Sequence, residues 1–200
     1  MLALLAVTSL VQAENWAFEL QDRAKQIYME KTTQVPCSKV SELVQSNNKR
    51  QIYIAIRDAG LFQDESCVSI VRKYQKTFEE MEGVRDAVAY YLYRMGNKQR
   101  LDVLARSFDR DAKRTGDHWT VELFGFIDDW SIAGRRLVRH AAYSDGAGSE
   151  LLCSALMWRR YLYGEANFEK NWFRIGKQEK VDDEQLKDKF KYCYPSMPVQ

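Results

Sequence analysis

The chain has 200 residues, 46% of them hydrophobic and 29% charged, with a formal net charge of +2 and three prolines. That composition is globular and excludes a disordered chain, and so small a net charge argues against nucleic acid as a partner. Between Pro36 and Pro195 the residue that most disrupts helices is absent, which points to an all-α fold.

Residues 1–13, MLALLAVTSLVQA, form a short apolar run ending in Val11-Gln12-Ala13, a small-residue cleavage pattern. They are expected to be a signal peptide, the rival reading being a buried N-terminal helix. No Cys adjoins the cleavage pattern, so a lipid anchor is not expected, and no later run is long and apolar enough for a transmembrane segment. Residues 14–48 are expected to cap the N-terminal end of the domain. Four cysteines, Cys37, Cys67, Cys153 and Cys193, are an even number that suits disulfides in an oxidising compartment. No C-x-x-C spacing offers a redox or zinc site, and no Asn-x-Ser/Thr sequon occurs. A periplasmic or secreted location follows as the expectation, with three disulfide connectivities open.

From residue 49 to 177 the sequence is periodic. Gly60, Gly96, Asp129 and Gly164 are read as turns spaced by 36, 33 and 35 residues. Helical segments are predicted before them at 50–59, 84–95, 119–128 and 151–163, and after them at 64–76, 98–114, 131–143 and 165–177. Six residues before the turn stand Ile54, Tyr90, Leu123 and Trp158; eight after it stand Val68, Leu104, Leu137 and Trp172. Helices apolar at such fixed places bury them against a hairpin partner and the next hairpin. Glycine at a turn supplies a left-handed helix end. Thr77 with Glu80 has capping-box spacing, Asp117 and Ser131 are N-cap candidates, and residues 144–149 read as a loop. Gly125 and Gly134, inside predicted helices, make the third repeat the least regular.

The stretches GVRDAVAYYLYRMGNKQRLDVLARSF (83–108) and WTVELFGFIDDWSIAGRRLVRHAAY (119–143) resemble HEAT-like helical repeats. The resemblance covers roughly residues 49–177 and implies a right-handed α-α superhelix of about four hairpins, with residues 178–200 as a C-terminal cap or tail. An irregular helical bundle is the alternative. If the array holds, successive hairpins are offset by about 10 Å, whereas bridged cysteines need Cα atoms within about 7 Å. Cys67 and Cys153 then lie too far apart, and the expected pairing is Cys37–Cys67 and Cys153–Cys193, each pinning a cap.

No phosphate-binding loop, zinc-protease helix, nucleophile elbow or calcium loop is present, and no cofactor or metal is expected. Ser46 to Lys49 matches S-x-x-K but lacks its companion motifs. His118 is placed at a helix start and His140 on an inward position. Among the aromatics, Tyr91 and Tyr163 are expected to be the more exposed, and core packing is preferred to a stacking platform. The downstream helices carry an excess of cations, and in HEAT-like arrays such helices line the concave surface. The implied binding face comprises Arg72, Arg106, Arg110, Arg135, Arg136, Arg139 and Arg174, which suits an acidic protein or an anionic envelope polymer. The reading is a non-enzymatic binding or scaffold module, an inhibitor or immunity-type protein being one form of it. The alternatives are an envelope-polymer hydrolase using Glu122, Asp128 or Asp129, and a structural subunit of an envelope complex.

Overall fold

A computed structural model describes residues 35–111, 119–127, 129–143 and 150–193; the signal-peptide segment, Asp117, His118, Asp128 and the 144–149 loop lie outside them. Among the described residues the protein is all-helical, without a strand. A 3-10 turn (Cys37–Lys39) leads into α1 (Val40–Gln45). Then follow α2 (Lys49–Phe62), α3 (Cys67–Lys73), α4 (Gln75–Glu80), α5 (Val84–Arg94), α6 (Gln99–Asp111) and α7 (Trp119–Gly125). A π-helical turn (Trp130–Gly134) opens α8 (Arg135–Tyr143), and α9 (Glu150–Tyr163), α10 (Glu165–Gln178) and α11 (Asp183–Cys193) complete the chain.

Helix ends explain most of the turn spacing and correct one part of it. Gly96 has φ 98° and closes α5 through two bonds, its own N–H to Tyr93 O and the Asn97 N–H to Leu92 O, both 3.0 Å. The equivalent pair after α2 runs from Gln63 N to Gly60 O (3.3 Å) and from Asp64 N to Ala59 O (2.8 Å), and Gln63 takes the left-handed φ of 54°. Gly60 is therefore not a turn but a buried residue inside α2. A Cβ there would lie 2.9 Å from the Tyr90 ring, so glycine serves close packing of α2 on α5. The turns become Gln63, Gly96, Asp129 and Gly164, spaced by 33, 33 and 35 residues.

In this frame the core rows tighten. Eight residues after the turn stand Val71, Leu104, Leu137 and Trp172, all buried, where Val68 is only half-buried. Each large apolar side chain so buried contributes about 1.5–3 kcal/mol. Three other local expectations fail. The segment 64–76 is broken at Tyr74 into α3 and α4, and Thr77 lies inside α4 instead of capping it. Ser131 is not the cap of the third downstream helix; Asp129 is, its carboxylate accepting from the N–H groups of Ser131 (2.8 Å) and Ile132 (3.1 Å).

α2, α5, α7 and α9 pack one on the next as a first layer, α6 packs on α5 and α7, and α10 packs on α9 and α8. α6 meets α8 through the Phe108 and His140 rings (5.8 Å), while α8 packs directly on α10. The stripe of aromatics joins the first layer from inside: Tyr90 to Phe126 (6.1 Å), Phe126 to Trp158 (5.2 Å). α2 also reaches past its neighbour to α7, with the Tyr53 and Trp119 rings 4.8 Å apart. That contact makes the stack tighter than an array in which each repeat touches only the adjacent one.

Two cysteine pairs sit at disulfide distance, Cys37 with Cys67 (Cα–Cα 5.6 Å) and Cys153 with Cys193 (5.0 Å), the pairing that the hairpin offset predicts. The first ties the 3-10 turn to α3. The second ties α11 to α9, and α11 also packs on α8 and α10.

Candidate binding face

The seven arginines of the implied face do not form one free patch. Arg135 and Arg139 stand one turn apart on α8 and converge on Glu179 just beyond α10, Arg135 Nε donating to Oε1 at 2.6 Å and Arg139 Nε to Oε2. Burial pushes the Glu179 carboxyl pKa up, but hydrogen bonds and charge from Arg139 and Arg135 outweigh it and hold the carboxyl below its ordinary value. Arg136 turns the other way and grips Asp109 of α6 with two bonds, 2.9 and 2.8 Å. These three side chains thus fasten α8 to α10 and to α6.

Arg72, Arg106 and Arg174 are less committed. Arg110 donates to Ser107 Oγ (2.9 Å) and Arg174 to Asn171 Oδ1 (2.9 Å), both from exposed side chains. Arg106 is exposed on α6, and Arg72 is exposed on α3, whose close packing is with the 3-10 turn.

The carboxylates considered for hydrolysis are engaged elsewhere. Glu122, buried on α7, accepts from Arg57 Nη1 (2.8 Å), Tyr53 Oη (3.0 Å) and Ser154 Oγ (2.9 Å), so one carboxylate joins α2, α7 and α9. Asp129 caps a helix. Asp128 lies outside the described residues. A second buried carboxylate, Asp86 of α5, accepts from Ser107 Oγ (2.8 and 2.9 Å) and Thr120 Oγ1 (2.6 Å), joining α5, α6 and α7. Ser46 caps the end of α1 by donating to Leu43 O (3.2 Å), with Ser46 and Lys49 both exposed.

His140 is buried on α8 as expected, its ring edge-on to Phe108. Tyr91, expected among the exposed aromatics, is fully buried and donates to Asp64 O at 2.9 Å; burial, and then the charges of Asp64 and Glu65, push its pKa up to about 12. Tyr163 is half-buried. Among the described residues, no group of three or more His, Cys, Asp or Glu is placed to hold a metal ion, and no helix is long and apolar enough to cross a membrane.

Sequence reasoning missed Arg57, Arg159, Asp86 and Glu179. Arg57 had a signal: six residues before the corrected turn the row reads Arg57, Tyr90, Leu123, Trp158, and a charge in a core row implies a buried partner. Arg159, fully buried, donates to Phe124 O (2.8 Å) and Ile127 O (2.6 Å), which closes the end of α7, and its guanidinium lies 4.0 Å from the Trp130 ring centroid. Glu179 lies past the last repeat helix and had no signal. Comparison with family models, with curated proteins and with solved structures finds no match to this chain.

Proposed function

We propose that this chain is an exported, non-enzymatic protein-binding or scaffold module, built as a short, tightly wound HEAT-like superhelix whose second-helix layer receives an acidic partner. The observation that carries this reading is how the charged groups are divided. Buried carboxylates (Glu122, Asp86) each collect donors from two neighbouring helices and hold helices in place, whereas exposed cations such as Arg106 and Arg174 remain on the outer side of the second helices. Fixed helices with exposed charges on one layer suit recognition by electrostatic complementarity. Two cysteine pairs at bonding distance suit an oxidising compartment, periplasmic or extracellular. An inhibitor or immunity-type protein is the form of this role that a small, covalently pinned helical domain fits best.

Charge reversal at Arg135, Arg136 or Arg139 would set like charges against Glu179 and Asp109 and disturb the fold together with any binding. The informative variant neutralises Arg72, Arg106 and Arg174 to Gln. Capture from an envelope extract on immobilised wild type should yield a partner that this variant loses at unchanged thermal stability. Equal capture would remove the basic layer from the reading. Turnover of an envelope polymer that disappears in Glu122→Gln would replace it with the hydrolase.

A further inference from the structure

Counted from Gln63, Gly96, Asp129 and Gly164, the second helices share one charged position. Ten residues after each turn stand Lys73, Arg106, Arg139 and Arg174: one cation per hairpin, all exposed. The rows on either side of it are fixed by burial. Leu104, Leu137 and Trp172, two residues earlier, and Ser107, His140 and Ile175, one residue later, are all buried. At 3.6 residues per turn the cation row therefore sits about 130° round each second helix from the middle of those two core rows, and at the same angle on α6, α8 and α10. These three helices are spatial neighbours, joined by the Arg136–Asp109 pair and by the packing of α8 on α10. Equivalent positions on packed helices recur at about 8–10 Å.

We infer that Arg106, Arg139 and Arg174, with Lys73 in register on α3, form a ladder that binds an extended acidic polypeptide segment carrying a carboxylate at about every third residue. This rests on the binding-module reading above and names its partner. An extended chain in the polyproline II conformation has three residues per turn and rises about 3.1 Å per residue, so every third side chain returns to one side at about 9 Å, matching one rung per hairpin. The rungs have donors to give: among the described residues Arg106 carries no bond to another side chain, Arg174 engages only Asn171, and Arg139 lends its Nε to Glu179 while its side chain stays 57% exposed. Guanidinium groups suit a carboxylate because they can bind it in a planar fork. An acid beside the rungs decides against a denser polyanion. Asp102, one turn before Arg106, is exposed on α6 and would face the surplus charges of a polyphosphate.

The experiment titrates the oxidised full chain, at low salt, with two labelled 12-residue peptides of one composition. One repeats Glu-Ser-Ser; the other gathers its glutamates in a block. The spaced peptide should bind several-fold more tightly than the blocked one. Arg106→Gln, Arg139→Gln and Arg174→Gln should each weaken it by about 2- to 5-fold, the range of exposed ion pairs, and the triple variant roughly by the product. Lys49→Gln, the same charge change at an exposed site off the ladder, should leave it unchanged. Melting curves of each variant separate lost binding from lost fold, Arg139→Gln above all because it releases Glu179 to Arg135 alone. Equal binding of the two peptides, an equal effect of Lys49→Gln, or tighter binding of a linear polyphosphate would each overturn the ladder. If an envelope partner is captured while the spaced peptide fails to bind, the ladder falls and the binding-module reading stands.

Discussion

Gly125→Ala isolates how closely the first helices approach. Gly125 ends α7, and a Cβ there would lie 2.6 Å from Ala155 Cα and 2.7 Å from Ala155 O, both main-chain atoms of α9 that no rotamer change can withdraw. Carbon atoms rest at about 3.5–4.0 Å, so the helices must part by about 1 Å, and a gap of that size forfeits a quarter to a half of each dispersion contact across it. The contacts at risk involve Phe124, Leu152 and Leu156, all fully buried. Overpacking of this kind costs about 1–3 kcal/mol. Against it stands the helix preference of Ala over Gly, about 0.5–1 kcal/mol, which applies because Gly125 does not have a positive φ. The net loss is about 1–2 kcal/mol, or about 2–8 °C in Tm for a chain of this size. Urea unfolding followed by tryptophan fluorescence measures it, and near-UV circular dichroism should change as Trp158 on α9 shifts. Gly96→Ala is the control: nothing lies within 4 Å of its added Cβ, so only the left-handed φ of 98° is strained and the near-UV spectrum should be preserved. A Gly125→Ala protein as stable as wild type would refute the close approach.

Gln63→Gly removes a left-handed non-glycine residue and should stabilise by about 0.5–1 kcal/mol after loss of its exposed bond to Arg94 O, measured by urea midpoint; a loss of stability would reject the corrected turn. Because the folded Glu179 carboxyl lies below its ordinary 4.5, its contribution is complete above that pH and is lost as pH falls through the lower folded value; the stability gap between wild type and Glu179→Gln should therefore close on acidification, and a gap constant down to pH 3 would count against the shared carboxylate. Tyr91 has the opposite sign, its stabilisation present below pH 10 and lost as pH rises towards about 12, so Tyr91→Phe should flatten the alkaline loss seen by circular dichroism. Arg57→Met should cost about 3–5 kcal/mol by stranding two buried carboxylates, Glu122 and Asp58, so adding Glu122→Leu should recover only part of it; a double variant as unstable as the single one would mean that Glu122 is not a source of the cost.

The all-helical class was legible because it rests on periodic burial, which a sequence displays directly. Leu104, Leu137 and Trp172 recur at one distance from the turn and are all buried. The placement of the first turn was not legible. Gly60 looks like a helix terminator, yet its missing Cβ serves the Tyr90 ring, while Gln63 accepts the left-handed backbone that glycine normally takes. Glycine has two uses, conformational and steric, and composition does not distinguish them. The basic face was half legible. Cation positions follow from the pattern, but whether a cation is free depends on acids far away in sequence, and Glu179 lies 40 residues from Arg139.

Apolar rows that repeat so faithfully create a problem of their own. A hairpin that docked one position out of order would still bury a leucine or an aromatic ring against another, so apolar burial alone leaves the order of the stack weakly determined. The buried polar groups break that degeneracy. Glu122 finds Tyr53 and Arg57 only on α2 and Ser154 only on α9, and Asp86 finds Ser107 and Thr120 only on α6 and α7. An out-of-order docking would leave each carboxylate buried without donors, which is far more costly than a lost apolar contact. Such pairs add little net stability over well-packed apolar residues, so their worth here lies in specifying one arrangement. That arrangement is what places Arg106, Arg139 and Arg174 on consecutive helices at one angle. On this argument the charges hidden in the core set the spacing of the charges left outside.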